Sequence, residues 1–291
     1  PTRRSSDLPL ALMNPGDLLL LPDPGYPDYL SGVSLGRVTY ETFPLTAEND
    51  FLPDLEAIPE ETARRAKFIY INYPNNPTGA VATKAFYEKL IAWAKTYEVG
   101  VVSDLAYGAL GYQGYENPSF LSVPGAKDVG IEFYTFSKTF NMAGWRLAFA
   151  AGNAEMVEAL NLIQDHLFVG IFPALQDAGI AALLDHKSEE AVAQLNAVYD
   201  SRRDAFTQAA AKIGWQAFPS KGSFYAWMPV PEGYTSESFA DLLLEKAHVA
   251  VAPGKGFGPA GDAYVRIGLL VEPERLVEAV NRIADLHLFD Y

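Results

Sequence analysis

Six short runs rich in leucine, β-branched and aromatic residues, near positions 17–22, 37–43, 67–72, 99–104, 130–136 and 146–151, alternate with stretches of helical periodicity such as Thr83 to Tyr97. Alternation of this kind leaves few architectures open, because a strand followed by a helix and then by another strand re-enters its sheet in parallel. The expectation is an α/β chain with a mostly parallel sheet covered by helices on both faces. From about Ala154 the pattern turns helical, through Leu184 and then from Ser188 to Ile213, where Gly214 stands in C-terminal capping position. Short strand patterns follow at Phe224 to Met228, Val249 to Val251 and Val265 to Leu270, with helical ones at Ser236 to His248 and Pro273 to Leu286. The expected division is a large domain over 9–153, then interdomain helices and a smaller α+β domain over 154–291.

In open α/β sheets ligands bind outside the carboxyl ends of the strands, so polar residues at those ends carry the functional reading. The run 131–136 ends in Ser137-Lys138, and Arg146 follows eight residues after the lysine. A lysine that ends a buried strand faces a crevice, where desolvation and a neighbouring cation lower its pKa toward a usable amine nucleophile. The pair points to a lysine that forms a Schiff base and an arginine that holds a phosphate, and so to pyridoxal 5′-phosphate (PLP). Upstream, Lys67 to Asn72 runs into the double-proline turn Tyr73-Pro74-Asn75-Asn76-Pro77-Thr78-Gly79, and Val99 to Ser103 ends in Asp104-Leu105-Ala106-Tyr107. Taken singly, these residues have ordinary readings. Asp104 reads as a helix cap, Asn76 as a turn residue, Tyr26 and Tyr107 as core aromatics, and Arg266 as the outward charge of an alternating strand. Joint order and spacing outweigh those readings and bring Asn76, Asp104, Tyr107 and Lys138 toward one crevice.

Asn-Pro-Thr-Gly at 76–79, Asp-x-Ala-Tyr at 104–107 and Ser137-Lys138 with the trailing Arg146 together resemble the class I/II aminotransferases, PLP-dependent enzymes of fold type I. The likeness runs from about Leu8 to the C-terminus. It implies that Lys138 is the Schiff-base lysine and proton shuttle, and that Asp104 pairs with the protonated pyridine nitrogen through a charge-assisted hydrogen bond. Asn76 and Tyr107 would hydrogen-bond the ring's phenolate oxygen, Thr135, Ser137 and Arg146 would hold the phosphate, and Tyr26 would stack on the ring. Arg266 would grip the substrate α-carboxylate beside Asn76, a task suited to a planar guanidinium. The resemblance further implies amino-acid and 2-oxo-acid substrates, a cytoplasmic homodimer and a site built between subunits. The stretches 24–32, 140–145 and 164–170 look most like the methionine-salvage branch, which aminates 4-methylthio-2-oxobutanoate. LL-diaminopimelate, alanine and aspartate aminotransferases share much of the pattern. Lyase or decarboxylase chemistry, and the PLP-binding sensor domains of transcriptional regulators, use the same core and stay open.

Composition narrows the partners. A formal net charge of -14 disfavours nucleic acid and anionic membranes. With no cysteine, disulfide frameworks and Cys-ligated zinc are excluded, and the four histidines show no metal-ligand spacing. No apolar stretch is long enough to span a bilayer, and the start lacks a signal-peptide pattern. Gly254 to Pro259 lacks the ending of a nucleotide-binding glycine loop and reads as a mobile loop at the substrate entrance. Residues 1–8 are expected to be a non-native start. Pro1-Thr2-Arg3-Arg4-Ser5-Ser6-Asp7 is polar and basic where the family has a glycine-rich turn, and it back-translates to the end of a common sequencing adapter. The family's N-terminal segment supplies backbone amides to the phosphate and a tyrosine to the neighbouring subunit, so the chain as written is expected to bind PLP weakly.

Overall fold

The computed structural model describes residues 8–289. The expected non-native start falls on residues 1–7, outside the described residues, and on Leu8, which is fully buried and opens a first helix, Leu8–Leu12.

The six runs form one sheet from β1 (Leu18–Asp23), β2 (Thr39–Pro44), β3 (Ala66–Asn72), β4 (Gly100–Asp104), β5 (Gly130–Thr135) and β6 (Ala148–Gly152), in the order β2-β1-β3-β4-β5-β6. Every pairing is parallel except that of β5 with β6. The chain steps outward from β1 to β2 and then returns to the other side of β1 with β3. That reversal is the topological switch point, where the loops at the carboxyl ends part and leave a crevice. Both faces of the sheet are covered, which is why Leu18 to Pro22 of β1 and Phe68 to Ile71 of β3 read as apolar runs. Leu20, Ile69 and Val101 meet Leu90 and Ile91 of the helix Lys84–Tyr97 on one face. Leu19, Leu21, Tyr70 and Val102 meet Leu8, Tyr29 and Leu160 on the other. Thr83 caps the helix 84–97 by accepting the Phe86 N–H, and Glu98 ends it in a left-handed conformation.

A second, antiparallel sheet is formed by β7 (Tyr225–Pro229), β8 (Ala252–Pro253) and β9 (Tyr264–Gly268), in the order β7-β9-β8. Its core joins Trp215, Met228, Val265 and Ile267 to Phe206 of the helix Ser188–Lys212 and Leu276 and Val280 of the helix Pro273–Ala284. Two expectations shift here. The helical pattern 154–184 breaks after Phe168, because Val169 and Gly170 take positive φ and Pro173 opens a new helix, Pro173–Leu184. The strand pattern 249–251 does not pair; the bridge to β9 falls on 252–253 instead. His248, at φ 55°, ends the preceding helical segment, the Val249 N–H returns to the Leu243 carbonyl, and Val249 and Val251 pack on the second core. The segment after β4 bridges the two sheets, with Tyr107, Leu110 and Tyr112 packed on Tyr199, Phe224 and Tyr225. Among the described residues no helix is long and apolar enough to cross a membrane.

Candidate active site

Because β1, β3, β4 and β5 run parallel, their last residues share one edge; Asn72 of β3 stands in register with Asp104 of β4, and Asp104 with Phe133 of β5. A cavity of about 870 Å³ opens above that edge, and Tyr26, Asn76, Asp104, Tyr107, Thr135, Ser137, Lys138, Arg146 and Arg266 all line it. The nine residues predicted from sequence are therefore brought together.

The floor is a polar weave between strand ends. The Asn72 side-chain amide donates to the Asp104 carbonyl at 2.7 Å, and its Oδ1 accepts the Asn76 N–H at 2.8 Å. The last residue of β3 thus ties the 73–79 turn to the end of β4. Tyr29, on the helix Tyr29–Gly36, donates its hydroxyl to the Asp104 carboxylate at 2.9 Å. Burial and the Asp104 charge push the Tyr29 hydroxyl well above its ordinary pKa, so it remains a donor. Its ring is fixed edge-on by Tyr26 and face-tilted by Tyr70.

Lys138 stands on a single helical turn, Phe136–Thr139, that follows β5 directly. Thr135 caps that turn by accepting the Ser137 N–H at 3.2 Å and shares a 2.9 Å hydrogen bond with the Ser137 hydroxyl. Arg146 takes a left-handed backbone (φ 55°), and its Nη1 donates to the Ala143 carbonyl at 2.9 Å. Burial lowers the Lys138 pKa, and the positive charges of Arg146 and Arg266 lower it further. Such an amine is neutral, and hence nucleophilic and basic, at a lower pH than a surface lysine.

Arg266 projects from the middle of β9, opposite Trp227 of β7. Its Nη1 donates to Asn76 Oδ1 at 2.7 Å, and its guanidinium carbon lies 4.1 Å from the Tyr225 ring centroid and 4.5 Å from that of Phe257. Two aromatic faces and one amide therefore fix the guanidinium plane. Nε is buried with no hydrogen-bond partner among the described residues. Tyr107 is buried, donates to the Tyr225 hydroxyl at 3.5 Å, and has its pKa pushed well up, chiefly by burial.

Sequence reading assigned no role to Tyr29 or Asn72 and named no single side chain in the segments that supply Tyr225 and Phe257. Two signals stood in the chain: Tyr29 lies one helical turn beyond Tyr26, and Asn72 is a polar residue closing an otherwise apolar strand.

A family model for aminotransferase class I and II matches residues 5–283. The chain belongs to the class I and II aminotransferases. It is 56% identical over 283 residues to the L-glutamine--4-(methylsulfanyl)-2-oxobutanoate aminotransferase of Bacillus subtilis, covering 97% of this chain and 71% of that protein. It is 49% identical over 274 residues to the LL-diaminopimelate aminotransferase of Moorella thermoacetica, covering 94% and 70% respectively. The substrate-bound structure of BacF from Bacillus subtilis superposes with a TM-score of 0.93 at 47% identity, over 98% of this chain and 72% of that one. This aminotransferase carries a mostly parallel six-stranded sheet and a smaller antiparallel one.

Proposed function

We propose that this aminotransferase holds PLP in the cavity at the strand ends and transfers an amino group from an L-amino acid to a 2-oxo acid, with 4-methylthio-2-oxobutanoate and its amination product methionine as one couple and a second amino acid and its 2-oxo acid as the other. The observation that carries the reading is a lysine of lowered pKa sharing one cavity with an arginine whose plane is fixed and whose Nε lacks an acceptor.

The donor set suits the cofactor. Thr135, Ser137 and Arg146 supply hydroxyls and a guanidinium for the phosphate, and the Asp104 carboxylate suits a protonated ring nitrogen. Asn76 has its Oδ1 engaged by Arg266, which leaves its NH₂ to donate to the phenolate oxygen, as the Tyr107 hydroxyl would on turning from its long contact with Tyr225. The exposed ring of Tyr26 provides a stacking face. PLP, when bound, supplies an electron sink that acidifies the substrate's α-C–H bond. The chain's own residues do the rest. Arg266 orients the substrate by its carboxylate, and Lys138 removes the α-proton as a neutral amine and returns a proton as an ammonium. The cations of Arg146 and Arg266 favour the neutral amine, and Tyr225 and Phe257 narrow the water-accessible side of Arg266.

Methionine salvage is favoured because the relative at 56% identity is named for 4-(methylsulfanyl)-2-oxobutanoate. A homodimer accords with the exposed apolar side chains of Trp145, Phe149, Leu162, Val169 and Phe172, close in sequence to Arg146.

The test is an absorption titration of the purified chain with PLP, with and without Lys138→Ala, followed by methionine or LL-diaminopimelate. The expected result is a lysine-dependent band that methionine converts and LL-diaminopimelate does not. A band unaffected by Lys138→Ala would overturn the assignment of the lysine, and conversion by LL-diaminopimelate alone would overturn the substrate.

A further inference from the structure

Among the described residues two buried acids, Asp23 and Glu132, have no task in the chemistry, and Asp23 is the one at the cavity end of the sheet. Asp23 ends β1, is 8% exposed, and sits at the switch point beside the loop that crosses from the second sheet. Its Oδ1 accepts the Ala260 N–H at 3.0 Å, which fastens the short turn Pro259–Gly261. Two residues on, the Gly25 N–H donates to the Phe257 carbonyl at 2.7 Å. Between these two bonds lies Gly258, whose φ of 130° disfavours any side chain and whose missing Cβ would collide with Asp23 Oδ1. The carboxylate is therefore packed against a bare backbone, and the loop 257–260 is held to β1 at two points.

Phe257 is the second aromatic face on Arg266. The stretch that holds its loop, Asp23 to Gly25, also leads straight into Tyr26, which lines the same cavity. We propose, resting on the reading of Arg266 as the substrate-carboxylate site, that Asp23 is a positioning residue which clasps the 257–260 loop so that Phe257 holds the Arg266 guanidinium in its binding plane. Asp23 touches no reacting atom. Its removal frees the loop, and the effect falls on carboxylate affinity rather than on the proton transfers at Lys138.

Asp23→Ala is expected to raise KM for both amino acid and oxo acid by about tenfold, the scale of one lost hydrogen bond to a charged acceptor. kcat and the PLP titration should stay within about twofold of the parent. Hydrogen exchange at the Ala260 amide should accelerate by a similar factor, a readout that needs no cofactor. Asp23→Asn, which keeps an acceptor oxygen, should recover most of the lost affinity and protection. Gly258→Ala, which pushes on the same carboxylate from the other side, should repeat the Asp23→Ala pattern and serves if that variant fails to fold. Ala260 exchange equal to the parent's, or kcat falling in step with kcat/KM at unchanged KM, would overturn the clasp. A parent chain that binds no 2-oxo acid by calorimetry overturns the Arg266 reading, and the inference with it. A parent that binds while Asp23→Ala binds equally well overturns the inference alone.

Discussion

Asp104 and Glu132 lie on adjacent strands, one residue out of register, and on opposite faces of the sheet, with only Asp104 lining the cavity. Glu132 is 6% exposed, inside β5, in register with Ser103. One of its oxygens accepts the Ser103 hydroxyl at 2.9 Å and the Phe120 N–H at 2.8 Å, and the other accepts the Ser119 hydroxyl. Burial pushes its carboxyl up, and these donors pull it part of the way back. The next residue after Ser103 points through the other face of the sheet. There Asp104 receives the Tyr29 hydroxyl and also lines the cavity. A buried acid enclosed by donors from its own fold is a fastening, here of the turn Phe120–Ser122 to the sheet. An acid that takes a hydroxyl from its own fold and also lines a cavity is placed where a ligand could meet it.

The sharpest way to break this contrast is to remove each carboxylate and read stability and turnover together. On the proposed reading, in which Asp104 would face the pyridine nitrogen of PLP, Asp104→Ala should reduce kcat/KM by a factor of about a hundred or more, while urea denaturation moves by about 1 kcal/mol or less. Loss of stability in place of turnover would make Asp104 a second fastening. Glu132→Leu should do the reverse, costing about 2–4 kcal/mol by leaving a buried N–H and two hydroxyls without acceptors, with turnover per folded molecule within about twofold of the parent. Glu132→Gln should recover most of that loss, since the serine hydroxyls can rotate to accept from its NH₂. The parent's Glu132 carries a sign as well. Its folded pKa is raised above the unfolded value, so its contribution to stability declines as pH rises from the unfolded value through the folded one. The gap between parent and Glu132→Gln should therefore narrow or reverse across that window, and a gap that widens with pH would contradict the assignment.

The same contrast explains what was legible before the fold was known. All six strands of the large sheet lie within two residues of the runs that announced them, because burial on both faces is written locally into the inner runs, while the exposed edge strand β2 is marked by its β-branched and aromatic residues. Most of the nine cavity residues were legible for a related reason, since they stand at strand ends or inside short motifs; Arg266, in the middle of β9, was legible only through the resemblance. Their partners were not. Tyr29 and Asp104 are 75 residues apart, and Arg266 and Asn76 are 190 apart, and nothing local in either segment signals the other. Glu132 was read only as part of a strand, since its role depends on register with Ser103 and on a turn that folds over it. Val249 to Val251 shows the opposite failure, a run with strand-like composition whose side chains were taken up by a core before any partner strand reached it.

Tyr29 offers the finest test, because Tyr29→Phe removes one oxygen from Asp104 and leaves the ring. The ring's contacts with Tyr26 and Tyr70 persist, so denaturation should shift by about 1 kcal/mol or less. What changes is the carboxylate. It loses a donor that favours its charged form, so its hold on a protonated ring nitrogen weakens without disappearing. The expected outcome is a fall of about three- to tenfold in PLP affinity and kcat/KM, with KM for the amino acid little changed because Arg266 is untouched. Equality with Asp104→Ala would mean that Tyr29 supplies the whole effect through orientation. An unchanged PLP titration would mean that the 2.9 Å bond merely satisfies a buried hydroxyl, and Tyr29 would then belong with Glu132 among the fastenings.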